Sequence, residues 1–207
     1  MTVPLAEQLL VGILVGGQSS RMGSPKGLLR APRPFDPAAE EGSTPAPTLL
    51  ERLLYISEQQ LGLATVLVGA RREYDYLNRT TVLDKRLGCG PLGGLVALLE
   101  HAALTGKTHA VALACDLPHL GAELLRRLAF WPSPASVVCA ASGARYEPLF
   151  ARYHTSCLST LGLALDEARL GVQPLLSTLQ AEVLSVSEAE RQQLVDWDSP
   201  ADVLASP

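Results

Sequence analysis

Several features that would assign a chain to a class are missing from these 207 residues. There is no run of Lys and Arg, and 17 basic against 21 acidic residues leave a net charge of −4. A basic footprint for nucleic acid is therefore absent, no nucleic-acid partner is expected, and an anionic ligand would need a local positive site. The longest apolar stretches are broken well short of the ~20 residues that cross a bilayer, so no membrane partner is expected either. The first residues lack a basic segment followed by a long apolar run, which argues against a secretory signal. The four cysteines, Cys89, Cys115, Cys139 and Cys157, make no C-x-x-C pair and have no histidine at a zinc-like spacing. Free thiols in a reducing, cytoplasmic compartment are the expectation. Histidines are few, and His101, His109, His119 and His154 enter no evident Ser-His-Asp or Cys-His arrangement.

What is present is a core. Hydrophobic residues make up 47% of the chain and charged residues 18%, the balance of a folded protein. The length suits one domain over residues 1–207. Leu10–Val15 is a continuous apolar run closed by Gly-Gly, as in a strand buried on both faces. Thr48–Leu61 has helical spacing, and Pro91–Ala103 opens with proline in its first turn. Thr65–Val68, Thr81–Leu83, His109–Ala114, Ser136–Ala141 and Pro148–Ala151 read as strands, and Leu120–Phe130 reads as an amphipathic helix. The last third is more helical, with one strand candidate at Glu182–Val186. Alternating strands and helices predict an α/β fold, a mostly parallel sheet with helices on both faces. One stretch departs from the pattern. "RAPRPFDPAAEEGSTPAP", residues 30–47, carries five prolines and predicts a surface insertion or a lid.

The first strand runs into "LVGGQSSRMGSPKG", residues 14–27. In an open α/β sheet, ligands collect beyond the carboxyl ends of the strands. Gly16 and Gly17 allow the backbone a tight turn and a close approach to a ligand. Exposed N–H groups there form a concave donor array for phosphate oxygens. Ser19 and Ser20 add hydroxyls, Arg21 a planar fork and Lys26 a compact charge. The loop is neither a P-loop nor a dinucleotide fingerprint: Pro25 precedes Lys26 and Gly27 follows it, and no G-x-G-x-x-G is spelled. Taken alone, it reads equally as a solvated glycine turn. Two further pieces join it. In "VLDKRLGCGPLGGL" (82–95), Asp84 ends a strand and Gly90 opens a helix; its carboxylate could meet a base, a ribose or a metal, or be incidental to the helix entry. In "ALACDLPHL" (112–120), a buried strand delivers Asp116 to the same edge, as a Mg²⁺ ligand or a helix N-cap.

Together, Leu14, Val15, Gly16, Gly17, Ser19, Arg21-Met22-Gly23 and Lys26, then Asp84 with Gly90–Gly94, then Cys115-Asp116-x-Pro118, resemble the signature of the molybdenum cofactor guanylyltransferase (MobA-type) family. "YEPLFARYH" (146–154) and "VDWDSPADV" (195–203) resemble later segments of that family. The resemblance implies a Rossmann-like nucleotidyltransferase fold, a three-layer sandwich like that of the nucleotide-diphospho-sugar transferases. It implies transfer of GMP from GTP to the terminal phosphate of molybdopterin, with Mg²⁺ as cofactor and transient contact with molybdoenzymes or cofactor-delivery proteins. The nucleotide-binding positions it implies are Leu14, Val15, Gly16, Gly17, Ser19, Lys26, Gly69, Asp84, Gly90 and Asp116. The catalytic ones are Arg21, Lys26 and Asp116, with Asp116 on the metal. Gly-Gly after the first strand favours GTP over CTP within such enzymes. The chain departs from the family at Val15 (usually Ala), Pro25 (often Asp), Gly69 (often Asn), and Asp196 and Asp198 (both usually Asn). A cytidylyltransferase, another small-phosphate transferase or a nucleotide-binding module without turnover are the alternatives.

Overall fold

The computed structural model describes residues 5–16, 25–32, 46–69, 72–84, 86 and 88–205. Its frame is a seven-stranded sheet. The strands are β1 (Leu9–Leu14), β2 (Ala64–Val68), β3 (Thr81–Val82), β4 (His109–Ala114), β5 (Val137–Ser142), β6 (Arg145–His154) and β7 (Glu182–Val183). They lie in the order β3-β2-β1-β4-β6-β5-β7, and β6 runs antiparallel to both its neighbours while the other pairings are parallel. The mostly parallel α/β sheet expected from the sequence is what forms. The chain builds outward from β1 through β2 to β3, then returns to place β4 on β1's other side. That reversal opens a crevice between the carboxyl ends of β1 and β4, where ligands bind in such sheets.

Strand alternation decides which side chains reach which layer. Leu9, Val11 and Ile13 point to one face. There they meet α1 (Leu49–Leu54), which continues as a π-helical segment over Tyr55–Gln60, and α3 (Ala122–Phe130). Leu10 points to the other face, toward α2 (Gly90–Leu104), α4 (Leu158–Asp166) and α5 (Val172–Thr178). The helix expected over 48–61 thus forms with a change of winding. Thr48 opens it with a capping box: its hydroxyl accepts the Glu51 N–H and the Glu51 carboxylate accepts the Thr48 N–H. α2 lies close on β1 because Gly12 has no side chain; a Cβ there would fall 2.4 Å from Leu98 Cδ1. Arg152, buried on β6, donates to the carbonyls of Ala129 and Trp131, placing a cation on the last turn of α3. Two short helices, α6 (Glu188–Gln192) and α7 (Pro200–Ala205), complete the chain.

The feet of the proline-rich segment are tied together. Arg30 and Thr48 form an antiparallel bridge, Ala31 N–H donates to Pro47 O, and Leu49 N–H donates to Leu29 O. Residues 33–45, most of that segment, lie outside the described residues. Among the described residues, no helix is long and apolar enough to cross a membrane; all four cysteines are free thiols, and Cys115, Cys139 and Cys157 are buried, as expected of packing thiols, whereas Cys89 is partly exposed.

At the carboxyl end of the sheet the backbones of β1 and β2 nearly touch. Val15 and Gly16 N–H both donate to Val68 O, and Gly69, at φ +102°, would place a Cβ 2.7 Å from both N and Cα of Gly16. An asparagine, which the resembling family often carries here, would therefore have no room. Gly69→Ala is expected to lower stability by about 1–3 kcal/mol through left-handed strain and this collision, read from urea unfolding.

At the opposite end of the sheet, His109 and His154 stack edge to face with centroids 4.8 Å apart. Burial, with the charges of Arg152 and His154, pulls the His109 imidazole down to about 4. The unfolded chain takes up this proton near pH 6.5 and the folded chain only near 4, so this contribution to stability is complete above pH 6.5 and is lost as pH falls toward 4. His109→Gln should flatten the fall in melting temperature across that window; an unchanged slope would assign it to other groups.

Candidate active site

The crevice collects four stretches of chain. Two residues beyond β4, Asp116 reaches its edge. Lys26 begins a short 3₁₀ turn, Lys26–Leu28, and its Nζ donates to Asp116 Oδ2 at 2.7 Å. The same ammonium donates to Asp198 Oδ1 at 2.5 Å. Asp196 adds a third carboxylate, and one oxygen from each of Asp116, Asp196 and Asp198 lies within 4.8 Å of the others. Gly27 lets this turn sit under Tyr74, whose hydroxyl would be 2.8 Å from a Cβ at that position.

The C-terminal segment is anchored firmly enough to hold these carboxylates. Trp197 is buried beside Ala31 and Leu49, stacks edge to face on His119, and donates its backbone N–H to Asp116 O at 3.1 Å. Asp202 Oδ2 accepts the N–H groups of Asp198 and Ser199 and the Ser199 hydroxyl, fixing the turn into α7. The "YEPLF" segment arrives from the other side, because antiparallel pairing of β6 with β4 brings the start of β6 to the carboxyl end of β4.

The electrostatics follow from this crowding. Burial by itself pulls the Lys26 ammonium down. Its hydrogen bonds to Asp116 and Asp198, with their charges, outweigh that, and it is pushed up to about 12. Burial raises the Asp196 carboxyl, and the neighbouring Asp198 and Asp116 raise it further. Burial also raises Glu147 on β6; Arg145 opposes the rise and Asp196 adds to it. Lys26 stays cationic at neutral pH and faces an excess of carboxylates.

Of the residues singled out in the sequence, Lys26 and Asp116 meet directly. Leu14, Val15 and Gly16 line the end of β1, with Gly69 beside Gly16. Gly90 opens α2 with a positive φ. Asp116 is not a helix cap, since Gly121 holds that place before α3. Gly17, Ser19 and Arg21 lie outside the described residues. Asp84 stands apart from the carboxylates around Lys26. Its Oδ1 accepts the Arg86 N–H at 2.9 Å, and it rests against Gly93 of α2. There it joins Arg86, Glu100 and Asp166 along a cleft of about 270 Å³ between α2 and α4. Asp196 and Asp198 are legible in the sequence only as two departures from the family pattern; nothing local marks them as neighbours of Lys26, whose bond to Asp198 spans 172 residues. Glu147 carried no such mark.

Comparison with known proteins agrees with this geometry. A family model described as the MobA-like NTP transferase domain matches residues 11–183. A probable molybdenum cofactor guanylyltransferase from Flavobacterium johnsoniae is 31% identical over 195 residues, 93% of each chain. The molybdenum cofactor guanylyltransferase of Xanthomonas euvesicatoria pv. vesicatoria is 30% identical over 190 residues, 91% of this chain and 88% of that one. Among solved structures, the molybdopterin-guanine dinucleotide biosynthesis protein A of Archaeoglobus fulgidus superposes with a TM-score of 0.72 at 21% identity, over 94% of this chain and 95% of that one. A CMP:2-keto-3-deoxy-manno-octonic acid synthetase complexed with CTP superposes at 0.59 and 11% identity, over 95% and 94%. These two likenesses show the nucleotidyltransferase fold. A sheet that reverses its strand order beside β1, a lysine seated on the aspartate after β4, and relatives matched over nine-tenths of their length lead to one conclusion: the chain belongs to the MobA-like NTP transferase family.

Proposed function

We propose that residues 1–207 act as one catalytic unit that transfers GMP from GTP to the terminal phosphate of a molybdopterin-type acceptor and releases pyrophosphate. The observation that carries this reading is the contact of Lys26 with Asp116 at the crevice between β1 and β4. The names of the relatives supply the acceptor and the guanine, and Gly16-Gly17 at the end of the first strand supports GTP over CTP.

In this reaction an acceptor phosphate oxygen bonds to the α-phosphorus of GTP as the bond to the pyrophosphate oxygen breaks. The acceptor phosphate is already ionised near neutral pH. The protein therefore needs no strong base, and the His109–His154 pair lies at the far end of β4 and β6. Alignment and charge neutralisation are the work left to the protein. The backbone of Leu14–Gly17 holds the nucleotide, and Arg21 and Lys26 grip its phosphates. Lys26 opposes the charge that builds on the departing pyrophosphate.

Three carboxylates gathered around an ammonium form a donor set that suits a hard divalent cation, since such ions take oxygen ligands and share them with phosphate. Asp116 would hold Mg²⁺, with Asp196 and Asp198 beside it. When bound, the ion supplies positive charge to the phosphate oxygens. Asp84, lying apart on the α2 side, is suited to the nucleoside rather than to the metal.

Removing an electrostatic contact of this kind costs roughly 3–4 kcal/mol in transition-state stabilisation. Lys26→Ala and Asp116→Ala should each slow pyrophosphate release about a hundredfold or more, with unchanged circular dichroism. Near-normal turnover by either variant would refute the assignment. Release measured with GTP and with CTP tests the base. GTP binding with no release for any acceptor would point instead to a module without turnover.

A further inference from the structure

The lysine that should hold phosphate is already engaged by the residues that should hold the metal. Its Nζ lies 2.7 Å from Asp116 Oδ2 and 2.5 Å from Asp198 Oδ1, so one ammonium bridges two carboxylates. The side chains of Lys26 and Asp116 are only 17% and 14% exposed, which limits screening by water and salt. Asp198 is 59% exposed, but its backbone is fixed by Asp202 on one side and by buried Trp197 on the other. In the resembling family the position of Asp198 is usually asparagine, which could not pair with the ammonium as an ion. The bridge is thus built from two carboxylates of this chain, Asp116 and Asp198.

Resting on the reading that Asp116 takes the divalent ion, we propose that Lys26 and the metal compete for Asp116 and Asp198, so that the bridging ammonium keeps the ion out until nucleotide phosphates draw the lysine away. A dication and an ammonium cannot both occupy the gap between these oxygens, because their like charges would meet at hydrogen-bond distance. A triphosphate offers Lys26 an alternative partner with more charge than the two carboxylates. Metal and nucleotide binding are then coupled through one side chain, and each strengthens the other by the same factor. Asp198 acts as a positioning residue that sets the strength of this coupling.

Binding of Mn²⁺ to the full chain without nucleotide, followed through the electron paramagnetic resonance signal of the free ion, tests this. Lys26→Met and Lys26→Gln should each bind Mn²⁺ between about five- and 150-fold more tightly than the unaltered protein, the usual range of such couplings. Adding Asp116→Asn to either variant should abolish the gain. Mn²⁺ should also raise the melting temperature of the Lys26 variants more than that of the unaltered chain, because it replaces a missing positive charge among three carboxylates. Lys26→Gln keeps a donor for both carboxylates and guards against loss of fold in Lys26→Met. Equal Mn²⁺ affinity with and without Lys26, at a site that still depends on Asp116, would overturn the competition and leave the metal site standing. Mn²⁺ binding that is indifferent to Asp116 with and without GTP would remove the metal site itself, and the competition with it.

Discussion

A single ammonium ties together stretches of chain 90 and 172 residues apart in sequence: Lys26 reaches Asp116 after the central strand β4 and Asp198 near the C-terminus. The ammonium offsets part of the repulsion among three carboxylates, which the buried Trp197 and the Asp202 turn hold at the same edge. The surrounding structure serves this arrangement. Parallel pairing of β1 with β4 carries the two chains to the same edge, with Leu14 opposite Ala114. Trp197, packed on Ala31 and Leu49, delivers the C-terminal carboxylates to it.

Small residues set how closely the layers can come. Gly12 admits Leu98 of α2 onto the face of β1, Gly27 admits Tyr74 beside the lysine turn, and Gly69 lets the end of β2 cross Gly16. Each is a place where one added carbon would displace a neighbour that the crevice depends on. Position 69 is thus constrained by sterics in this chain, and Asp196 by the electrostatics of burial and of its acidic neighbours Asp198 and Asp116.

The surplus of acid has a chemical consequence. A site that must hold a triphosphate and an anionic acceptor would be expected to favour cations, yet Asp116, Asp196, Asp198 and Glu147 outnumber Lys26 and Arg145 among the described residues there. Under the proposed function, anionic substrates could settle among so many carboxylates only with added positive charge, which a divalent ion would bring. In that reading, substrate binding and metal binding are tied to one another through Lys26.

The sequence by itself determined the order of strands and helices, the buried first strand, the helix that starts at Thr48 and the glycine-rich exit toward Lys26. These depend on neighbours a few residues apart, whose periodicity and turn chemistry are written locally. Asp116 could be placed at a strand end for the same reason. Tertiary structure decided what no local pattern encodes: that β6 runs against the other strands, that Asp84 faces the α2–α4 cleft instead of joining Asp116, and that Asp196 and Asp198 close on Lys26. Pairing across such distances is selected by the packing of whole layers and by the neutralisation of charge in a crevice that exists only once the sheet has formed.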